Sequence, residues 1–340
     1  MYKIAICIPT YNRSEKVFKL VNNLLSKKFD WLQIVVSDNC STDDTVLKLK
    51  KIVDSRLSIY TNTKNEGAIA NYLNAIVNSD AVYSVFLTDK DDVNIDHLAF
   101  VANELEKYKP VAGYIKYSAR SREKTRIAPR FLKLFVAGYR CIHPSGYFFT
   151  SIRLKKRLHD QALRCSLLDT SFPFEFLLTS CSGDGDIAIL HIPLITQESP
   201  DEYRAIKSHT YSSTKGNLYF TPDNRRTTFS RFVDDIDQNC TSRLDARLTK
   251  IRLLYWSTSV STLGYAKIIS DESFREHYLL SEQETTLRDI AETMYRYFSA
   301  IDEMRTDRRL LKLLFIPICA ATFIKFMLWR SLVNHALNGS

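Results

Sequence analysis

Five strand patterns alternate with four helix patterns over the first 118 residues, and this alternation most restricts how the chain can fold. Lys3–Ile8, Gln33–Ser37, Leu57–Tyr60, Val82–Leu87 and Val111–Tyr117 are short, apolar and rich in β-branched residues. Between them, apolar residues recur at helical spacing in Lys16–Leu25, the segment from Ser41 to Ile52, Ile69–Val77 and Ile95–Tyr108. Strands alternating with helices of this size predict right-handed βαβ units, with a mostly parallel sheet covered by helices. The expected class is α/β, Rossmann-like, followed by a helical C-terminal extension. Ligands on such sheets bind beyond the carboxyl ends of the strands. The polar clusters fall there: Thr10-Tyr11-Asn12-Arg13, Asp38-Asn39, the stretch from Asn62 to Gly67, and the acids after Leu87.

The last cluster is the most demanding. Asp89, Asp91 and Asp92 crowd the end of a buried strand, with only Lys90 to offset them. Clustered carboxylates repel one another and are costly to desolvate, so a counter-charge is required. A hard divalent cation, Mg²⁺ or Mn²⁺, shared with substrate phosphates is the simplest one. Capping of the following helix would account for Asp91 or Asp92 but not for all three.

Four motifs in order, Ile8-Pro-Thr-Tyr-Asn12, Val35-Val-Ser-Asp-Asn-Cys-Ser-Thr-Asp-Asp-Thr45, Asn65-Glu-Gly67 and Asp89-Lys-Asp91, resemble the nucleotide-sugar half of family 2 glycosyltransferases of the GT-A fold. Asn65-Glu-Gly-x-x-x-Asn71 followed by Leu-Thr-Asp-Lys-Asp is similar to the abequosyltransferase-like branch that builds O-antigen or capsule sugars. The resemblance implies that Pro9, Thr10 and Tyr11 line the base and ribose pocket, with Asn12 and Arg13 in the same donor loop. It makes Asp38 an acceptor for the base and sets Asn65, Gly67 and Asn71 along the donor. Asp89 and Lys90 would lie near ribose or phosphate, with Asp91, joined by Asp89, as metal ligand. Many members carry an Arg just before the Asn71 position, whereas this chain has Ala70; phosphate neutralisation then falls to Arg13, Lys90 or the basic block described next.

The net charge is +9, and residues 115–165 hold thirteen Lys/Arg against two acids. Such a block is a solvated face or an attractor of phosphates. Within it, His143-Pro-Ser-Gly146 resembles the polar turn that precedes the acceptor site in these enzymes. Inverting sugar transfer needs a carboxylate to take the acceptor hydroxyl proton, and by position the resemblance offers Glu175 and Asp169, with Glu175 preferred. Gln161-Ala-Leu-Arg-Cys165 lacks the Trp of the processive synthases, so addition of a single sugar is expected.

Residues 198–235 are polar and are expected to form a long loop; Ser281-x-x-Glu284 is expected to cap a helix running towards Met304. Leu310–Trp329 is nearly all apolar behind Arg305, Arg308 and Arg309. It is short for a membrane span and suits a helix lying at the interface, with a core helix or a homo-oligomer face as the alternative. The expected organisation is 1–118 for the donor, 119–235 for the acceptor and loop, and 236–340 for the helical extension. Seven scattered cysteines without a C-x-x-C pair, and a charged N-terminus without a leader pattern, point to the cytoplasm, at the inner face of the plasma membrane. The expected partners are a nucleotide-diphosphate sugar and a polyprenyl-diphosphate-linked glycan, with no nucleic acid. The rivals are a sugar nucleotidyltransferase, which should carry a glycine-rich loop that Thr10–Arg13 lacks, and a non-catalytic nucleotide-sugar or glycan-binding module.

Overall fold

β1 (Ile4–Thr10) is buried along its whole length and runs parallel to β2 (Leu32–Asp38) on one side and β4 (Tyr83–Phe86) on the other. A strand covered on both faces has no use for polar alternation, which is why Ile4-Ala-Ile-Cys-Ile8 reads as one continuous apolar run. The computed structural model describes residues 2–115, 126–128, 143–196, 220–240, 242–272, 275 and 286–338. The chain divides into two compact units, Met1–Tyr203 and Arg204–Ser340.

The first unit holds an eight-stranded sheet in the order β3-β2-β1-β4-β8-β6-β9-β7. The remaining strands are β3 (Leu57–Thr61), β6 (Ala112–Ile115), β7 (Arg126–Ala128), β8 (Tyr147–Thr150) and β9 (Ile187–Leu190). Only β8 and β7 run against the rest, so the sheet is mostly parallel, as expected. Two short strands, β5 (Asp92–Val93) and β10 (Ile195–Thr196), pair antiparallel apart from it.

The helices form where the spacing predicts them. α1 (Ser14–Leu25) buries Val17, Leu20, Val21 and Leu24, the i, i+3, i+4, i+7 stripe that faces a core. α3 (Ala68–Val77) and α4 (Leu98–Tyr108) also bury one face. α2 is confined to Thr45–Leu49, shorter than the segment to Ile52 expected from a capping box at Ser41. The Ser41 hydroxyl instead accepts from the Asn12 N–H at 2.9 Å, and Asp43 accepts from the Thr45 N–H. The stretch from Ile152 to Leu163, read as one basic helix, is two: α5 (Ser151–His159) and α6 (Gln161–Leu168). Asp160 separates them and caps the second through the Leu163 N–H. α7 (Pro173–Cys181) follows and is buried almost throughout.

The second unit is helical: α8 (Pro222–Asn239), α9 (Arg243–Tyr255), a π-helical turn over Trp256–Ser261, α10 (Thr262–Ser270), α11 (Leu287–Asp302) and α12 (Arg308–Asn338). The expected loop through residue 235 is therefore wrong from Pro222 onward. Pro222 occupies the first helical turn, where its missing N–H costs nothing, and Phe229, Phe232, Val233 and Ile236 bury one face. The proposed capping box at Ser281 and the segment 197–219 lie outside the described residues. A capping box is present further on, where Thr286 and Asp289 exchange hydrogen bonds and open α11. Inside the unit, Lys250 is fully buried and ion-paired to Asp237 and Asp307, with Thr306 as a third partner. A buried ammonium needs that much compensation.

Candidate active site

Strand register fixes which loops meet. Thr10 lies level with Asp38, and Asp38 with Thr61, at the carboxyl ends of β1, β2 and β3. On the other side Cys7 is level with Phe86, so three further residues along each chain Thr10 comes opposite Asp89. The contact is made: Thr10 Oγ1 donates to Asp89 Oδ2 at 2.9 Å, and Arg13 Nε stands 3.7 Å from the same oxygen.

On the β1–β3 side an amide network ties the loops together. The Asn39 amide donates to Asn65 Oδ1 at 2.8 Å and to the Gly67 carbonyl, while Asn39 Oδ1 accepts from the Glu66 N–H and from Asn62. Asn71, buried in α3, donates to the carbonyls of Thr10 and Ser37 and accepts from the Ser37 hydroxyl at 2.7 Å. Gly67 adopts φ +86, a left-handed conformation, where the loop turns into α3. Asn12, also at positive φ, bridges to Thr42. Tyr11 is half-buried and Pro9 is buried within β1.

Two polar atoms here are buried without a hydrogen-bond partner among the described residues: Asp38 Oδ1 and Arg13 Nη1. The second carboxylate oxygen of Asp38 accepts from the Ser41 N–H at 3.0 Å. Leaving an acceptor and a charged donor unsatisfied is costly in a folded interior. Such atoms are expected where a ligand completes the site.

Asp91 is held from the opposite side. It is 2% exposed, and its Oδ2 accepts from the hydroxyls of Thr88, at 2.8 Å, and Ser145. His143 Nε2 lies 3.4 Å from the same oxygen. The Ser145 N–H points at His143 Nδ1, which makes Nδ1 the acceptor and leaves the imidazole proton on Nε2, toward Asp91. Burial, opposed by the Asp91 charge and aided by Lys90, lowers the His143 pKa below its usual value. The turn that delivers these groups depends on Gly146: it adopts φ +104, and a β-carbon would lie 2.4 Å from the Ile115 carbonyl. Sequence reasoning placed His143-Pro-Ser-Gly146 at the acceptor and missed its grip on Asp91, and it gave no role to Thr88; Asn39 and Asn62 it placed at the rim without their mutual bond.

Tyr72 was also missed. Burial first, then the nearby Asp89 charge, push its phenol pKa up to about 12. Its ring stacks on Phe174, which packs 4.3 Å from Phe86 of β4. The next residue, Glu175, is buried in the first turn of α7, whereas Asp169 ends α6 in an exposed position. Asp92, in β5, is exposed and pairs with Thr196. It caps no helix; the Asn94 side chain instead caps the short 3-10 turn Ile95–His97 that leads into α4.

Among the described residues no group of three or more His, Cys, Asp or Glu is placed to hold a metal ion. Two carboxylates remain, one residue apart, at the end of a strand. That number fits Mg²⁺ or Mn²⁺, which take one or two protein carboxylates and complete their shell with water and substrate phosphates.

Residues 5–172 match the family described as "Glycosyl transferase family 2". A UDP-Glc:alpha-D-GlcNAc-diphosphoundecaprenol beta-1,3-glucosyltransferase of Escherichia coli is 28% identical over 105 residues, 31% of this chain and 39% of that protein. A GalNAc(5)-diNAcBac-PP-undecaprenol beta-1,3-glucosyltransferase of Campylobacter jejuni is 31% identical over 97 residues, 27% of this chain and 31% of that protein. The matched region thus spans well under half the length of these relatives. The crystal structure of S. aureus TarS 1-349 with UDP-GlcNAc aligns with TM-score 0.60 at 14% identity, over 97% of this chain and 92% of that one, and shares the fold.

Proposed function

Because the chain belongs to glycosyltransferase family 2 through residues 5–172, we propose that it is an inverting glycosyltransferase. It moves one sugar from a nucleotide-diphosphate donor to a hydroxyl of a lipid-linked glycan in surface-polysaccharide assembly. The observation that carries this reading is the pair of unsatisfied buried atoms on one sheet rim, Asp38 Oδ1 and Arg13 Nη1. A carboxylate oxygen is the right acceptor for the N–H of a nucleobase, and a guanidinium is the right donor for a diphosphate.

In this reading Pro9, Thr10 and Tyr11 wall the base and ribose, and Asn65, Gly67 and Asn71 set the loop beside them. Asp91, with Asp89, would hold Mn²⁺ or Mg²⁺, which when bound supplies positive charge to the leaving diphosphate. Thr88, Ser145 and His143 keep the Asp91 carboxylate in one orientation. Arg13 and Lys90 add positive charge, taking the part of the Arg that Ala70 replaces. Glu175 accepts the proton of the acceptor hydroxyl as its oxygen bonds to the anomeric carbon and the bond to the diphosphate breaks on the opposite face. Burial of Glu175 beside the aromatic contact to β4 supports it over the exposed Asp169. The acceptor class follows the two bacterial relatives, which are glucosyltransferases of diphosphoundecaprenol-linked sugars. It implies peripheral contact with the cytoplasmic face of the membrane.

The test is a panel of UDP-, dTDP-, GDP- and CDP-sugars with and without Mn²⁺, read as donor hydrolysis and as thermal shift. One nucleotide should stabilise the protein and be consumed in a metal-dependent way. Silence across the panel defeats the reading, and formation of a sugar nucleotide from a nucleoside triphosphate would replace it with nucleotidyl transfer.

A further inference from the structure

Helix α12 is apolar on two sides, and the described residues of the second unit pack on only one of them. Leu311, Phe315, Thr322 and Phe326 are buried, spaced as a single helical face. Phe315 meets Phe298 of α11 with ring centroids 5.2 Å apart. Lys325 donates to the Tyr255 hydroxyl at 2.6 Å, and Lys312 lies over the Phe298 ring. The opposite face carries Leu313, Ile316, Ile324, Met327, Leu328 and Leu332, each 59–71% exposed. At 1.5 Å per residue these cover roughly 28 Å of helix. An uncovered apolar stripe of that length marks an interaction surface.

Charge decides the occupant. Residues 308–338 contain Arg308, Arg309, Lys312, Lys325 and Arg330 and not one Asp or Glu. Two copies of such a helix would set like charges against each other, whereas anionic lipid headgroups complement them. The length and composition of Arg308–Leu332 would also allow a span. Crossing the bilayer, however, would strip Phe315 and Phe326 from their packing and carry Lys325 into hydrocarbon. A helix with one face in protein and the other bare lies in the membrane plane. We infer that the Leu313–Leu332 face of α12 is a docking surface for an anionic lipid bilayer, immersed lengthwise with the basic residues at headgroup level. This names the face, the orientation and the lipid charge behind the membrane contact proposed above, and it stands apart from the donor chemistry.

The full chain should float with vesicles of phosphatidylcholine and phosphatidylglycerol at 7:3. Binding should be at least fivefold weaker with phosphatidylcholine alone, and alkaline carbonate should release the protein. The double variant Ile316→Glu/Ile324→Glu, both positions exposed, should lose at least tenfold in vesicle binding at unchanged thermal midpoint. Arg308→Gln/Arg309→Gln should leave the apolar face intact and reduce only the preference for anionic vesicles. Donor binding, measured on the same variants, should not move, so a failed vesicle assay and a failed donor assay remain separate results. Carbonate-resistant association would overturn the in-plane orientation. Unchanged flotation of the glutamate variant, or a dimer that this variant dissociates, would overturn the surface itself.

Discussion

His143 presents Nε2 to Asp91 Oδ2 across 3.4 Å, while the Ser145 N–H fixes the other ring nitrogen. A buried carboxylate is thus oriented by a turn far away in sequence. If Asp91 carries the metal and the diphosphate, Asp91→Ala should cut metal-dependent donor hydrolysis by at least about a hundredfold. Asp91→Asn, which still accepts from Thr88 and Ser145, should fold like the parent and yet be equally inactive. Calorimetric titration with Mn²⁺ and nucleotide separates lost binding from lost fold.

The same imidazole makes stability sensitive to acid. Burial, the largest cause, holds the folded His143 below its ordinary value of 6.5. As pH falls through that value the unfolded chain takes up a proton that the folded one resists, so the unfolded state gains. Stability should be level above pH 6.5 on this account and decline below it, toward the depressed folded value. Thermal midpoints measured from pH 7.5 to 5.5 should show the slope, and His143→Gln should flatten it.

Asn71 should matter for the fold as much as for the donor. Its side chain bonds two carbonyls and one hydroxyl on β1 and β2, and Asn62 as well. Asn71→Ala removes the Ser37 hydroxyl's acceptor and a donor from each of the two carbonyls, although the Thr10 carbonyl keeps the Asn39 N–H and Asn62 keeps Asn39, and should cost about 1–3 kcal/mol in urea denaturation. Asn71→Asp, which cannot donate, should be nearly as harmful.

Two glycines at positive φ make a controlled pair. At Gly67 a β-carbon would meet nothing within 4 Å, so Gly67→Ala should cost only the backbone strain, about 1 kcal/mol. At Gly146 it would collide with the Ile115 carbonyl at 2.4 Å. Gly146→Ala should therefore displace Ser145, destabilise more than its counterpart, and lose activity as well. Denaturation curves beside initial rates test both halves of the comparison.

Removal of the proposed general base should act on turnover rather than on donor affinity. Glu175→Gln should lower kcat by about 10²–10⁴ with little change in donor KM. Asp169→Asn, at the exposed end of α6, should stay within a fewfold of the parent. The opposite pattern would transfer the role to Asp169.

The parallel half of the sheet was legible because β1, β2 and β4 are buried on both faces, β3 closes the edge as a short β-branched run, and the helices keep one apolar stripe. The convergence of Thr10, Asp38 and Asp89 was legible because each follows a strand at the sheet's carboxyl rim, and the register of β1 with β2 and β4 brings it about. The Ser145–Asp91 contact was not legible: a Ser-Gly pair reads only as a turn, and nothing local points to a carboxylate 54 positions earlier. α8 was misread for a different reason. Its exposed side is crowded with Asp, Asn and Arg, which hid the Phe229, Phe232, Val233, Ile236 spacing that a helical count from Pro222 would have exposed.

The two acids at the end of β4 are clasped by different parts of the chain: Asp89 by Thr10 and Arg13 after β1, Asp91 by His143 and Ser145 ahead of β8. During synthesis the first clasp leaves the ribosome well before the second exists. Until β8 slots antiparallel between β4 and β6, Asp91 has the Thr88 hydroxyl but lacks the Ser145 hydroxyl and His143. If Asp91 carries the metal as proposed, catalytic competence arrives late, in step with completion of the sheet, and a chain ending before Ser145 would lack it.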